Sequence, residues 1–148
     1  MTAMSGSDPR RLVLGNHLAE LNRLAVWIEG WAQESVSPDV SLALQLCLEE
    51  AVANIIMYGA IDGGLEIAVE LERRGQTLIA RIEDNGRPFD PTQKPPPRLA
   101  TTLKDAKIGN LGIYLARCFA SHMDYERRQG RNRLTLRFDE PQAASPQP

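Results

Sequence analysis

The stretch LCLEEAVANIIMYG, Leu46 to Gly59, sets polar side chains into an apolar run. Glu50 and Asn54 stand four residues apart, so on a helix they share one edge with Leu46. A carboxylate and an amide cost free energy inside a core unless a protein partner or a ligand satisfies them. Chemically, the carboxylate can take up a proton, and the amide oxygen is a hard donor suited to Mg²⁺. The structural alternative is a satisfied polar pair that caps a neighbouring loop. Glu49 belongs to another row, with Ser41 and Gln45, that reads as the solvent stripe.

RIEDNGRPFDP holds the second candidate group. Alternation along a strand puts Asp84 on the same face as Ile82, Ala80 and Leu78. A carboxylate at the core-facing end of a strand needs a partner. Asn85 and Gly86 break the strand and let the backbone approach something closely. An ordinary Asp-Asn-Gly turn is the alternative, but a long proline-rich segment follows. In KIGNLGIYL, Gly109 and Gly112 stand before and inside the start of a helix, where free N–H groups and the dipole favour an anion. Gly-x-x-Gly is weak by itself, and the chain has neither a P-loop nor a GxGxxG motif.

Several elements must position these groups. RRLVLG reads as a short first strand, and residues 16–34 as an amphipathic helix. Its stripe is Leu18, Leu21, Leu24, Ala25 and Ile28, with Trp27 and Trp31 one turn apart as core residues. A second helix opens at SVSPDV, with Ser37 as cap and Pro38 and Asp39 in the first turn, and ends at Gly59. LEIAVELE and TLIARIED form an antiparallel hairpin turning at GQ. Residues 85–108 show no periodicity and carry Pro88, Pro91 and Pro95-Pro96-Pro97; a loop of that length is functional or disordered. NLGIYLARCFASHM reads as a third helix, and DYERR and RLTLRF as a last hairpin turning at QGRN. The pattern is α+β, with helices on one face of a mostly antiparallel sheet.

At 148 residues, the chain is long enough for one domain with a real core. The reading is a domain over residues 11–139, between unstructured segments 1–10 and 140–148. A net charge of −2 gives no global field for nucleic acid or an anionic membrane. No run is read as long and apolar enough to span a bilayer, and the N-terminus lacks a leader-type apolar segment. Cys47 and Cys118 fit no metal spacing and read as buried thiols in a reducing compartment, the cytoplasm.

Taken together, helix Glu-x-x-x-Asn, strand-end Asp-x-Gly, a long loop and Gly-x-x-Gly opening a helix resemble the Bergerat-fold (GHKL) ATPases. The set is most similar to the stand-alone anti-sigma factor serine kinases, over about Leu12 to Phe138. EEAVANII, DNGRPFDP and GNLGIYLARCFAS carry the likeness. The resemblance implies a two-layer sandwich on a mostly antiparallel, mixed sheet, with ATP and Mg²⁺ as cofactors. It assigns Glu50 as general base and Asn54 as the Mg²⁺ ligand. Asp84 would accept from the adenine amino group, Gly86 would give the base room, and Gly109, Asn110, Leu111 and Gly112 would close on the phosphates. Pro91 to Ile108 would be an ATP lid, whose Arg98, Lys104 or Lys107 is left to reach a phosphate. In three places the chain departs from its relatives. Tyr58 stands where they often have histidine, Gly109-Asn110 where they have Gly-Gly, and Arg131, Asn132 and Arg133 where they have Gly-Thr. The last departure bears on the adenine side.

The leading expectation is then an ATP-dependent protein serine/threonine kinase. By resemblance it binds a sigma factor, or phosphorylates an anti-anti-sigma (STAS-type) protein, and forms a homodimer through its N-terminal half. A non-catalytic ATP-binding interaction module is the alternative, and Glu50 speaks against it. Nucleic-acid binding through Arg127, Arg128, Arg131 and Arg133 is weighed below both. These arginines cluster at one hairpin and read as a solvated face.

Overall fold

The computed structural model describes residues 7–32, 36–59, 61, 64–93, 117 and 120–139. A strand, β1 (Ser7–Leu14), leads into α1 (Glu20–Ala32) and α2 (Pro38–Tyr58). Then come β2 (Ile67–Arg74), β3 (Thr77–Asp84), a short 3-10 turn (Pro91–Gln93), β4 (His122–Arg128) and β5 (Arg131–Asp139). The sheet order is β1-β2-β3-β5-β4, and every described pairing is antiparallel.

The alternation foreseen in the strands sorts their side chains. Ile67, Val69 and Leu71 of β2, Leu78, Ala80 and Ile82 of β3, and Leu134, Leu136 and Phe138 of β5 form one buried face. Leu24 and Ile28 of α1, with Val40, Leu44, Cys47, Leu48, Ala51 and Val52 of α2, cover it. Trp27 and Trp31 pack against this core from its edge. The last hairpin turns at Gln129 and Gly130, both with positive φ (52° and 76°), as a two-residue turn of right-handed strands demands.

Four expectations are corrected. First, β1 reaches back to Ser7, into the segment read as unstructured. Arg10 to Leu14 pair with Leu71 to Ile67, and an irregularity carries the pairing on to Ser7 opposite Arg73. Second, α1 starts at Glu20, not Asn16. Leu18 lies in the preceding turn, 52% exposed, and does not join the stripe. Here Glu20 Oε2 accepts the Gly15 N–H (2.8 Å) and Arg23 Nη1 (3.0 Å), tying the turn to the helix start. Third, Ser37 holds the N-cap position of α2 but makes no side-chain capping bond; its carbonyl accepts the Ser41 N–H at 2.9 Å. Fourth, α2, with 21 residues and a mean hydropathy of 1.5, is long and apolar enough to cross a membrane. A helix running through a core is apolar around most of its surface and carries the same signature. The third expected helix lies outside the described residues apart from helical Arg117.

Candidate functional site

Glu50 and Asn54 lie on the buried side of α2, 9% and 6% exposed, among Leu44, Cys47, Leu48 and Val52. Burial pushes the Cys47 thiol well above its ordinary pKa, and the Glu50 charge adds to the effect. Cys47 is therefore a protonated, unreactive core residue, with no disulfide. Asn54 Nδ2 is buried with no hydrogen-bond partner among the described residues. A buried orphan of this kind costs about 1–3 kcal/mol. Half a turn of the amide exchanges its nitrogen for its oxygen at little steric cost. The same position can therefore offer a donor or a hard oxygen ligand.

Asn54 borders a cavity of about 140 Å³, the size class that accepts a benzene-sized ring. Ala51, Ile55, Ile82 and Leu134 supply apolar walls, and Asp84, Asn132 and Tyr125 supply polar groups. Two distant stretches of sequence, Asn54 on α2 and Asp84 at the tip of β3, thus meet in one hollow. Glu50 does not border it. Glu50 lies one helical turn before Asn54, about 6 Å along the axis.

Asp84 is 3% exposed. The Gly86 N–H (2.8 Å) and Asn132 Nδ2 (2.9 Å) both donate to its Oδ1, which leaves Oδ2 for a ligand. Burial raises its pKa. The hydrogen bonds from Asn132 and Gly86 and the charges of Arg127 and Arg131 work in the opposite direction. Asn85 ties the turn down: its Oδ1 accepts the Glu66 N–H (2.7 Å) and its Nδ2 donates to the Gly64 carbonyl (3.1 Å).

Gly86 approaches the end of α2. A Cβ there would stand 2.5 Å from the Gly59 carbonyl oxygen and 2.9 Å from Asp84 Oδ1. The next residue, Arg87, donates its N–H to that carbonyl at 3.2 Å. Since backbone must shift to make room, Gly86→Ala is expected to cost about 1–3 kcal/mol of stability. If the cavity takes the nucleotide that the sequence resemblance implies, the substitution should also weaken its binding, because Asp84 moves with the turn. Urea melts and ADP titration check the two effects.

Asn132 was read in sequence only as a departure from relatives, yet it faces Asp84 directly in the β3–β5 register. The signal was present: Asn132 is the polar member of the inward row Leu134, Leu136, Phe138. The arginines near the last hairpin are engaged. Arg127 Nη1 donates to the Gly86 carbonyl at 2.7 Å, Arg131 pairs with Glu66 (3.3 Å), Arg133 with Glu83 (3.1 Å) and Arg128 with Glu126 (3.9 Å). Gly109, Asn110, Leu111, Gly112 and the cations Arg98, Lys104 and Lys107 lie outside the described residues.

Comparison with known proteins gives the chain a family. A model of the histidine kinase-like ATPase domain matches residues 15–138. The serine/threonine-protein kinase BtrW of Bordetella bronchiseptica is 37% identical over 112 residues, 74% of this chain and 79% of that protein. In fold, the chain is similar to the RsbU and RsbW domains of Rv1364c from Mycobacterium tuberculosis, with TM-score 0.64 and 15% identity over 93% of this chain. It is also similar to the histidine kinase domain of the blue-light activated kinase from Erythrobacter litoralis EL346, with TM-score 0.54 and 14% identity over 86%. The chain spans only 34% and 62% of those two solved chains, and at such identities the likeness speaks of fold alone. By its family match over residues 15–138 and its 37% identical serine/threonine kinase relative, the chain belongs to the histidine kinase-like ATPases.

Proposed function

We propose that the chain binds ATP in this cavity and transfers its terminal phosphate to a serine or threonine hydroxyl of a partner protein. One observation carries the reading: Asp84 is anchored through Oδ1, while Asn54, whose amide nitrogen has no partner among the described residues, borders the same hollow. A ligand with a donor edge for Asp84 and anionic groups nearer Asn54 satisfies both. The BtrW relationship supports transfer to serine or threonine.

Asn54 fits Mg²⁺ through its amide oxygen, and the bound ion would offset phosphate charge. Glu50 would accept the proton of the attacking hydroxyl. Gly109, Asn110, Leu111 and Gly112 are proposed to meet the phosphates, and the 91–108 segment to close over them. The proposed partner is a sigma factor, or a STAS-type anti-anti-sigma protein in a cytoplasmic regulatory circuit, and the acting unit a homodimer. Phosphorylating such a partner adds about two negative charges to its interface, enough to release it.

A second reading, an ATP-dependent interaction switch without transfer, draws on the place of Glu50 outside the cavity lining. Incubation with γ-labelled ATP, Mg²⁺ and a STAS-type acceptor separates them. The expected result is label on an acceptor serine. ADP binding without any transfer would favour the switch.

A further inference from the structure

Among the described residues at the cavity, Asn132 is the most completely bonded polar side chain. Its Nδ2 donates to Asp84 Oδ1 (2.9 Å) and to the Arg87 carbonyl (2.8 Å). Its Oδ1 accepts from the Tyr125 hydroxyl and from Arg127 Nη1, the latter at 3.2 Å. All hydrogen-bonding capacity of the amide is in use. Its orientation is also fixed. Turning it over would set its oxygen against two acceptors, Asp84 Oδ1 and the Arg87 carbonyl, and its NH₂ against the Arg127 guanidinium, which can only donate. Asn132 is 4% exposed, lies opposite Asp84 in the strand register, and borders the cavity with Tyr125.

We propose that Asn132, locked by Tyr125 and Arg127, is the positioning residue that sets the base preference of the cavity. Its fixed donor holds Asp84 as an acceptor, and so selects a base that carries its N–H group at position 6, as a 6-amino purine does, over the 6-oxo counterpart, which has an acceptor there and its N–H at N1. The inference rests on the nucleotide-binding reading above and assigns the selectivity to a residue pair across two strands. Without the Asn132 donor, a buried carboxylate loses one of the two bonds that favour its charged form. The neutral acid can donate from Oδ2 and accept a 6-oxo base. Tyr125 and Arg127 act one step further out, through the Asn132 oxygen.

The test measures ADP and inosine diphosphate binding to the full chain by calorimetry, for the wild type, Tyr125→Phe and Asn132→Leu. These ligands differ at the base edge alone, so their affinity ratio reports how Asp84 presents itself. A merely structural role would weaken both ligands together and leave the ratio unchanged. The wild type is expected to prefer ADP. Asn132→Leu should cut that preference about tenfold or more, the factor carried by one buried hydrogen bond to a charged group. Tyr125→Phe, which removes one hydroxyl from a half-buried position, should cut it in the same direction by less. If Asn132→Leu does not fold, the ratio in Tyr125→Phe decides. A wild-type ratio that survives in every folded variant overturns the inference alone. A wild type that binds neither nucleotide overturns the functional reading, and this inference with it.

Discussion

Glu50→Gln is expected to slow phosphoryl transfer by about 10²–10⁴-fold, the usual contribution of a positioned general base, while ADP affinity stays close to that of the wild type. Glutamine keeps the volume of a buried side chain and removes its capacity to take a proton. Glu50 is 9% exposed and does not border the cavity, so the substitution leaves the cavity walls in place. Single-turnover transfer to a STAS-type acceptor, with ADP titration alongside, separates chemistry from binding. Transfer at the wild-type rate would make Glu50 a structural residue of α2. Loss of transfer and ADP binding together would mean that the helix edge itself had moved.

The second large effect concerns Asp84 and has two opposite signs. Asp84→Asn keeps an oxygen for the Gly86 and Asn132 donors, and then necessarily presents an NH₂ group where Oδ2 was. A donor facing the donor edge of a base forfeits a hydrogen bond to a charged group, worth about 1.5–3 kcal/mol. ADP affinity should fall about tenfold to a hundredfold. Stability should move the other way. Burial raises the Asp84 pKa, so the fold favours the neutral acid. The stabilisation from Asp84 is complete below its unfolded value and is lost as pH rises through its folded value. At neutral pH the wild type carries the desolvation cost of a buried carboxylate, which the amide avoids. The variant should melt higher at neutral pH, by about 2–4 °C for each kcal/mol relieved, and the difference should shrink toward acid. Thermal melts across that range check the sign. A variant that melts lower at every pH would show that Asp84 holds the turn together as an ion.

Much of the frame was legible because it rests on local rules. The alternation of LEIAVELE and of Leu78, Ala80, Ile82 and Asp84 marked inward faces, and Leu24 and Ile28 fell on a helix face at the expected period. Errors gathered at ends, where few contacts constrain the chain. Leu18 continued an apolar period into a turn, and Ser7 to Pro9, read as part of an unstructured N-terminus, extend β1 along its partner strand. Ser37 had the right residue type for a cap, but its side chain makes no capping bond.

The site divides along the same line. Residue type and spacing marked Glu50, Asn54, Asp84 and Gly86, because polar groups and glycine in apolar surroundings carry a cost that only a partner or a ligand offsets. Sequence by itself therefore determined the layers, the inward faces and the residues worth watching. Only the tertiary structure decided which of them meet. It joined Asn54 to Asp84 across one hollow, set Glu50 a turn away, and placed Asn132 opposite Asp84. The reason is strand pairing: the β3–β5 register brings together residues 48 positions apart. No local period along the chain encodes which side chain will stand across from which.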